Sequence, residues 1–172
     1  YKQVTSDMSI SIAVMHDVEP TRHAAPAPAV DQSKGVADAP GWSRLVVRYA
    51  DGRMMKGFSR NFTPSKGQID VWPVPDGPPA SRITIPLTHL KAAFFVHDLD
   101  GLPMQVASSP YETDLRAGRR IVVTFIDGEV LSGTTLNYAP GGVGFFMVPA
   151  DDKTNNLKVF VMSGAIRHVQ FP

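Results

Sequence analysis

Five histidines are the first side chains in this sequence that could do chemistry: His16, His23, His89, His97 and His168. Imidazoles make metal sites when they recur at close paired spacings beside carboxylates or thiolates. None of the five is so spaced and no carboxylate cluster accompanies them, so the expectation is surface or strand histidines and no metal. Asp98, Asp100, Asp127, Asp151 and Asp152 fall in predicted turns, where an aspartate serves the backbone. There is no Gly-x-Ser-x-Gly elbow, no phosphate-binding loop and no dinucleotide glycine pattern. The chain has no cysteine, which excludes disulfides, thiolate catalysis, iron–sulfur clusters and cysteine zinc sites. No residue nominates itself for catalysis. The expectation is a protein that is not an enzyme and carries no cofactor.

Apolar side chains offer a different chemistry, which is binding. Met8, Ile10, Ile12 and Val14 share one parity of an alternating stretch that also includes Val4 and Ser6, the two-residue period of a half-buried strand. Phe94 and Phe95 are consecutive, as are Phe145 and Phe146. Neighbours on a strand face opposite sides of the sheet, so one of each pair should lie between modules or against a partner. Trp42 stands at the start of the first folded stretch. Met8, Ile10, Ile12, Val14, Trp42, Phe94 and Phe146 are therefore the expected partner-binding residues, since exposed aromatics make good interface anchors.

The elements that must position these residues follow from composition and periodicity. The 172 residues amount to one ordinary domain or two very small ones, and the 43% hydrophobic content is enough for a packed core. With 17 basic and 16 acidic side chains the net charge is +1, which argues against a broad nucleic-acid-binding surface. No apolar run reaches the roughly 18 residues of a membrane span. Residues 1–42 read as an extended arm, because alternating Ala and Pro from Pro20 to Ala29 offers no buried face and favours a polyproline-type linker. The chain begins with Tyr1 rather than Met, and a segment is expected to have preceded it.

The rest reads as a duplication. Shifting the sequence by 76 positions carries Leu45–Gly52 onto Ile121–Gly128 without a gap from Arg44 to Val96. Eleven of the 53 aligned pairs are identical, among them Gly57 with Gly133, Asn61 with Asn137 and Pro73 with Pro149. Chance at ordinary composition would give about three. Each copy predicts five short strands, with an Asp-Gly hairpin after the first. The expected fold is all-β: two tandem five-stranded small barrels, 43–97 and 119–172, joined by a connector over 98–118 and preceded by the arm.

Several stretches resemble an uncharacterised bacterial domain family: Val46-Val47-Arg48-Tyr49, Asp51-Gly52-Arg53, Lys56-Gly57, Ile85-Pro86-Leu87, and the run from Asn155 to Val161. The resemblance spans about 44–171 and implies no assigned activity. Each copy is also distantly similar to Sm-like barrels, in strand pattern alone, and to PilZ barrels. PilZ domains bind cyclic di-GMP through an Arg-x-x-x-Arg segment before the first strand and an Asp/Asn-x-Ser-x-x-Gly turn after the second. Arg116 and Arg120 match the first pattern, with Arg119 beside them, and Asn137 to Gly142 matches the second, with Ala139 where the family has Ser. The likeness implies that Arg116, Arg119, Arg120, Asn137 and Gly142 hold a nucleotide, because guanidinium forks grip phosphates and stack on bases.

The leading expectation is a non-catalytic accessory or scaffold subunit of a larger bacterial assembly, membrane-associated or otherwise. Its partners would be other protein subunits and not nucleic acid. Its location would be the cytoplasm or the membrane periphery. The alternative expectation is a degenerate PilZ-like cyclic dinucleotide sensor.

Overall fold

The structure is a computed structural model that describes residues 40–101, 117–151 and 154–172. The expected strand of the arm, with Met8, Ile10, Ile12 and Val14, lies outside the described residues, as does Arg116. The described part is all-β. The first half contributes β1 (Ser43–Tyr49), β2 (Met54–Ser59), β3 (Gln68–Val71), β4 (Ile83–Pro86) and β5 (Leu90–Val96). The second contributes β6 (Arg119–Phe125), β7 (Val130–Thr135), β8 (Gly144–Pro149), β9 (Asn156–Met162) and β10 (Ile166–Gln170).

The two halves pair their strands in one register. Leu45 faces Gly57 across β1 and β2, and Ile121 faces Gly133 across β6 and β7, both displaced by 76. Ile69 faces Ile85 in β3 and β4, as Phe145 faces Val161 in β8 and β9. The β1–β5 ladder shifts register at Arg48/Tyr49, and the β6–β10 ladder shifts at the matching place. Turn chemistry sets this register. Gly52 and Gly128 hold φ of 90° and 91°, where a side chain would be strained, and each donates its N–H back to the last residue of the preceding strand.

Two closed barrels do not form. The strands run in one eight-stranded sheet, β10-β6-β7-β8-β9-β5-β1-β2, with β3 and β4 as a separate two-stranded sheet. Phe58 and Trp72 bridge β2 to β3. Among the described residues no pairing joins β4 to β5 or β9 to β10, so neither half closes on itself. Instead β5 gives its free edge to β9, with Phe94 opposite Val159.

The reason lies in the side chains of β5, which is buried at all seven positions. Ala93 and Phe95 face one apolar cluster with Leu45, Val47, Ile69 and Ile85, while Ala92, Phe94 and Val96 face another with Ile121, Val123 and Phe125. β9 is divided likewise: Phe160 and Met162 enter the first cluster, Val159 and Val161 the second. A strand apolar on both faces is stable only as a wall between two cores. The β5–β9 pair is that wall. At the far end, β10 bears exposed Arg167, His168 and Gln170 where β5 bears Lys91, Ala92 and Phe94. Polar residues on an edge strand stop further stacking of the same kind.

Candidate functional site

Lys91 is the one charged residue in β5, and its side chain is only 9% exposed. Burying an ammonium is costly unless it is paired. Its Nζ donates to Asp127 Oδ2 and Glu129 Oε2, both at 2.5 Å, and lies 4.5 Å from the centre of the Phe125 ring. Arg48 of β1 reaches the same carboxylate of Glu129 at 3.1 Å and stacks over Phe94 at 4.9 Å. Asp127 in turn accepts the backbone N–H of Glu129, an aspartate turn that fixes both carboxylates at the β6–β7 hairpin. Two cations of the first half thus clasp two anions of the second. They surround a hollow of about 260 Å³ that also includes Tyr49 and Met54.

The electrostatics follow from that arrangement. Burial works against the Lys91 charge, but the hydrogen bonds it donates to Asp127 and Glu129 outweigh it and hold its pKa above the ordinary 10.5. The Lys91 hydrogen bond, followed by that from the Glu129 backbone, holds the Asp127 carboxyl below its ordinary 3.8. The raised lysine stabilises the fold through neutral pH, and its contribution is lost as pH climbs past 10.5 through the folded value. The lowered aspartate stabilises above 3.8 and ceases to do so as pH falls below that. Lys91→Met should therefore cost about 2 kcal/mol at neutral pH, less than a fully buried pair because both carboxylates touch water. Urea unfolding at pH 7 and pH 3 checks this: the gap between wild type and variant should narrow in acid, and an equal gap at both values would remove the ionic explanation.

The residues expected to hold a nucleotide are divided between two faces. Arg119 lies over the Phe171 ring at 4.0 Å, and Tyr138 packs edge-on to that ring at 5.2 Å. Arg120, next along β6, points the other way into a groove with Val122, Ser132 and Pro172. Asn137 is exposed two residues beyond Thr135, the partner of Arg119 across the ladder. The Gly142 N–H donates to the Ala139 carbonyl at 3.2 Å, so the turn uses that donor itself.

Of the expected partner-binding residues, Phe94 is 6% exposed and belongs to the second apolar cluster, so it presents no surface to a partner. Phe146 is half-buried against the first cluster, with its ring 4.9 Å from that of Phe160. Trp42 is half-buried, edge-on to Trp72 at 5.1 Å, with Arg60 stacked on it at 4.9 Å. His89, His97 and His168 form no metal-binding group, and none of three or more His, Cys, Asp or Glu occurs among the described residues. No helix among them is long and apolar enough to cross a membrane. Sequence reasoning missed the Lys91 cluster, although a lone lysine amid Leu90, Ala92, Ala93, Phe94 and Phe95 was a readable signal.

Residues 41–171 match the model of a family of unknown function, DUF6982. No curated protein and no solved structure matches the chain. The chain belongs to the DUF6982 family.

Proposed function

We propose that this family member is a non-catalytic accessory or scaffold subunit that docks on a larger protein assembly through its arm, 1–42, and its sheet surfaces. The observation that carries the reading is the unequal use of matching strands. Among the described residues β9 is paired on both sides, by β8 and β5, whereas β4 at the matching position is paired by β3 alone. No described residue pairs with its outer edge, beside Ile83, which is 42% exposed. Such an edge takes an added strand from a partner, with the backbone supplying affinity and alternate side chains supplying specificity. A tether holding a second contact on the same assembly would raise the effective concentration of the first.

The test is native purification followed by mass spectrometry. A stoichiometric partner should accompany the intact chain and be lost both on deletion of 1–39 and in Ile83→Lys, which places a charge on the β4 edge. A partner retained by both variants would end the reading.

A second reading, a degenerate PilZ-like sensor, draws support from the Arg119, Tyr138 and Phe171 stack beside Asn137. Titration with cyclic di-GMP separates the two. Saturable binding that is lost in Arg119→Ala would favour the sensor.

A further inference from the structure

Three cations of the first half converge on one hollow. Arg60 follows β2, Lys66 closes a 3-10 turn over Pro64–Lys66, and Arg82 leads into β4. Together with Asn61, Thr63 and Asp70 they line a volume of about 230 Å³. Asp70 enters it from β3, directly across the ladder from Thr84 of β4, while its neighbours Ile69 and Val71 turn into the first apolar cluster.

The charges there are unbalanced. Among the described residues that line the hollow, Asp70 is the sole carboxylate against three cations. Its Oδ1 accepts the Thr84 hydroxyl, and its Oδ2 stands 4.0 Å from Arg82. Arg60 approaches Asp76 at 3.9 Å, and that carboxylate is 74% exposed. Neither distance is a hydrogen bond. Lys66 has no ion pair among the described residues. Elsewhere the chain pairs its cations closely, with Lys91 at 2.5 Å from Asp127 and Arg53 at 2.7 Å from Asp51. The strands do not require the grouping either. Shifted by 76, Leu136, Gly142 and Lys158 stand for Arg60, Lys66 and Arg82, and Lys158 lies over the rings of Phe95 and Phe146. Like charges gathered in one place cost free energy, which a bound counter-charge offsets.

We propose that this hollow beside β3 and β4 binds a phosphoryl dianion, either free or as the end of a phosphate monoester. A charge of about −2 balances the excess of three cations over Asp70. The Arg60 guanidinium lies 4.9 Å from the centre of the Trp42 ring and 5.9 Å from that of Trp72. Stacking occupies the face of the guanidinium and leaves its N–H edge to donate to phosphoryl oxygens. Arg82 brings a second fork from β4, and Lys66 a point charge on a flexible stem. Thr63 and Asn61 add a hydroxyl and an amide. Three acceptor oxygens suit donors that arrive from several elements, whereas a carboxylate brings one charge and two oxygens. The site uses neither the arm nor the β4 edge, and none of Arg119, Tyr138 and Phe171, so it stands apart from both readings above.

The probes are inorganic phosphate and phosphoserine, titrated into the isotopically labelled full chain, with acetate and chloride at matched ionic strength as comparisons. Amide shifts at Thr63, Lys66 and Arg82 should saturate with both phosphates and not with acetate or chloride. Tryptophan fluorescence should change alongside, because Arg60 lies over both tryptophans of the chain. Affinity should fall about tenfold in Lys66→Gln and in Arg82→Gln, the loss of one charge-assisted hydrogen bond. Both side chains are exposed, so these variants should keep the wild-type spectrum elsewhere. Arg53→Gln, at an exposed position outside the hollow, should bind as the wild type does. Tighter binding of phosphoserine than of phosphate would make the monoester the ligand, and equal binding the phosphoryl group itself. Absence of saturable shifts, an equal response to chloride, or affinity indifferent to both Lys66→Gln and Arg82→Gln would overturn the proposal.

Discussion

Gly133→Ala should destabilise the protein by about 3 kcal/mol, the upper end of what overpacking costs. The cause is neither chain entropy nor a positive φ. A Cβ on Gly133 would fall on the Val148 carbonyl oxygen, well inside contact distance. Here β7 crosses β8 with only two paired positions, Gly133 with Pro149 and Thr134 with Val148. Flexible side chains can turn away from an added methyl, but a backbone carbonyl held in a ladder cannot. At the matching place in the first half, a Cβ on Gly57 would lie 2.6 Å from the Trp72 carbonyl oxygen. That carbonyl accepts the Phe58 N–H at 2.8 Å, so moving it breaks the bridge between the two sheets. Gly57→Ala should therefore cost a similar amount. Gly164→Ala is the control, because nothing lies within 4 Å of a Cβ there, and it should stay within about 0.5 kcal/mol of wild type. Denaturant midpoints of the three variants decide the matter. A mild Gly133→Ala would mean that β7 and β8 slide past one another more easily than the ladder suggests.

These glycines also explain how much of the fold was legible in the sequence. The 76-residue shift was visible because positions such as Gly57, Gly133, Asn61 and Pro73 are dictated by backbone geometry, which tolerates few residue types. Strand positions were legible for the same reason, since turns bound them. The joining of the halves was not. An edge pairs through its backbone, which is nearly the same for every residue, so nothing in β4 or β9 announces which neighbour it takes. The hint was the consecutive pair Phe94 and Phe95, which demands burial on both faces. It fits a wall between two cores as well as a face presented to a partner. The ionic cluster was hidden by distance, since Lys91 meets Asp127 and Glu129 only after β5 and the β6–β7 hairpin are brought together. Arg119 and Arg120 read as one motif in sequence, yet alternation along β6 sends them to opposite faces.

Phe160→Ala tests whether that wall joins the halves energetically as it does geometrically. Phe160 belongs to β9 in the second half, yet its side chain is 1% exposed and lies in the first half's apolar cluster. Its ring meets Phe62 at 5.2 Å and Phe146 at 4.9 Å, and Phe62 extends the stack to Phe95 at 6.0 Å. Truncating a buried phenylalanine costs about 3–5 kcal/mol, because the cavity left behind collapses only in part. The loss should be felt equally in both halves. Trp42 and Trp72 both lie in the first half, so tryptophan fluorescence reports on it alone, whereas far-ultraviolet circular dichroism reports on the strands of both halves. The two signals should move together by the same 3–5 kcal/mol in a single transition. An earlier transition by fluorescence, with part of the circular dichroism change keeping the wild-type midpoint, would show that each half holds its own core and that β5 and β9 merely adjoin. With the transitions coincident, the molecule is one cooperative unit, and any partner that grips either half stabilises both.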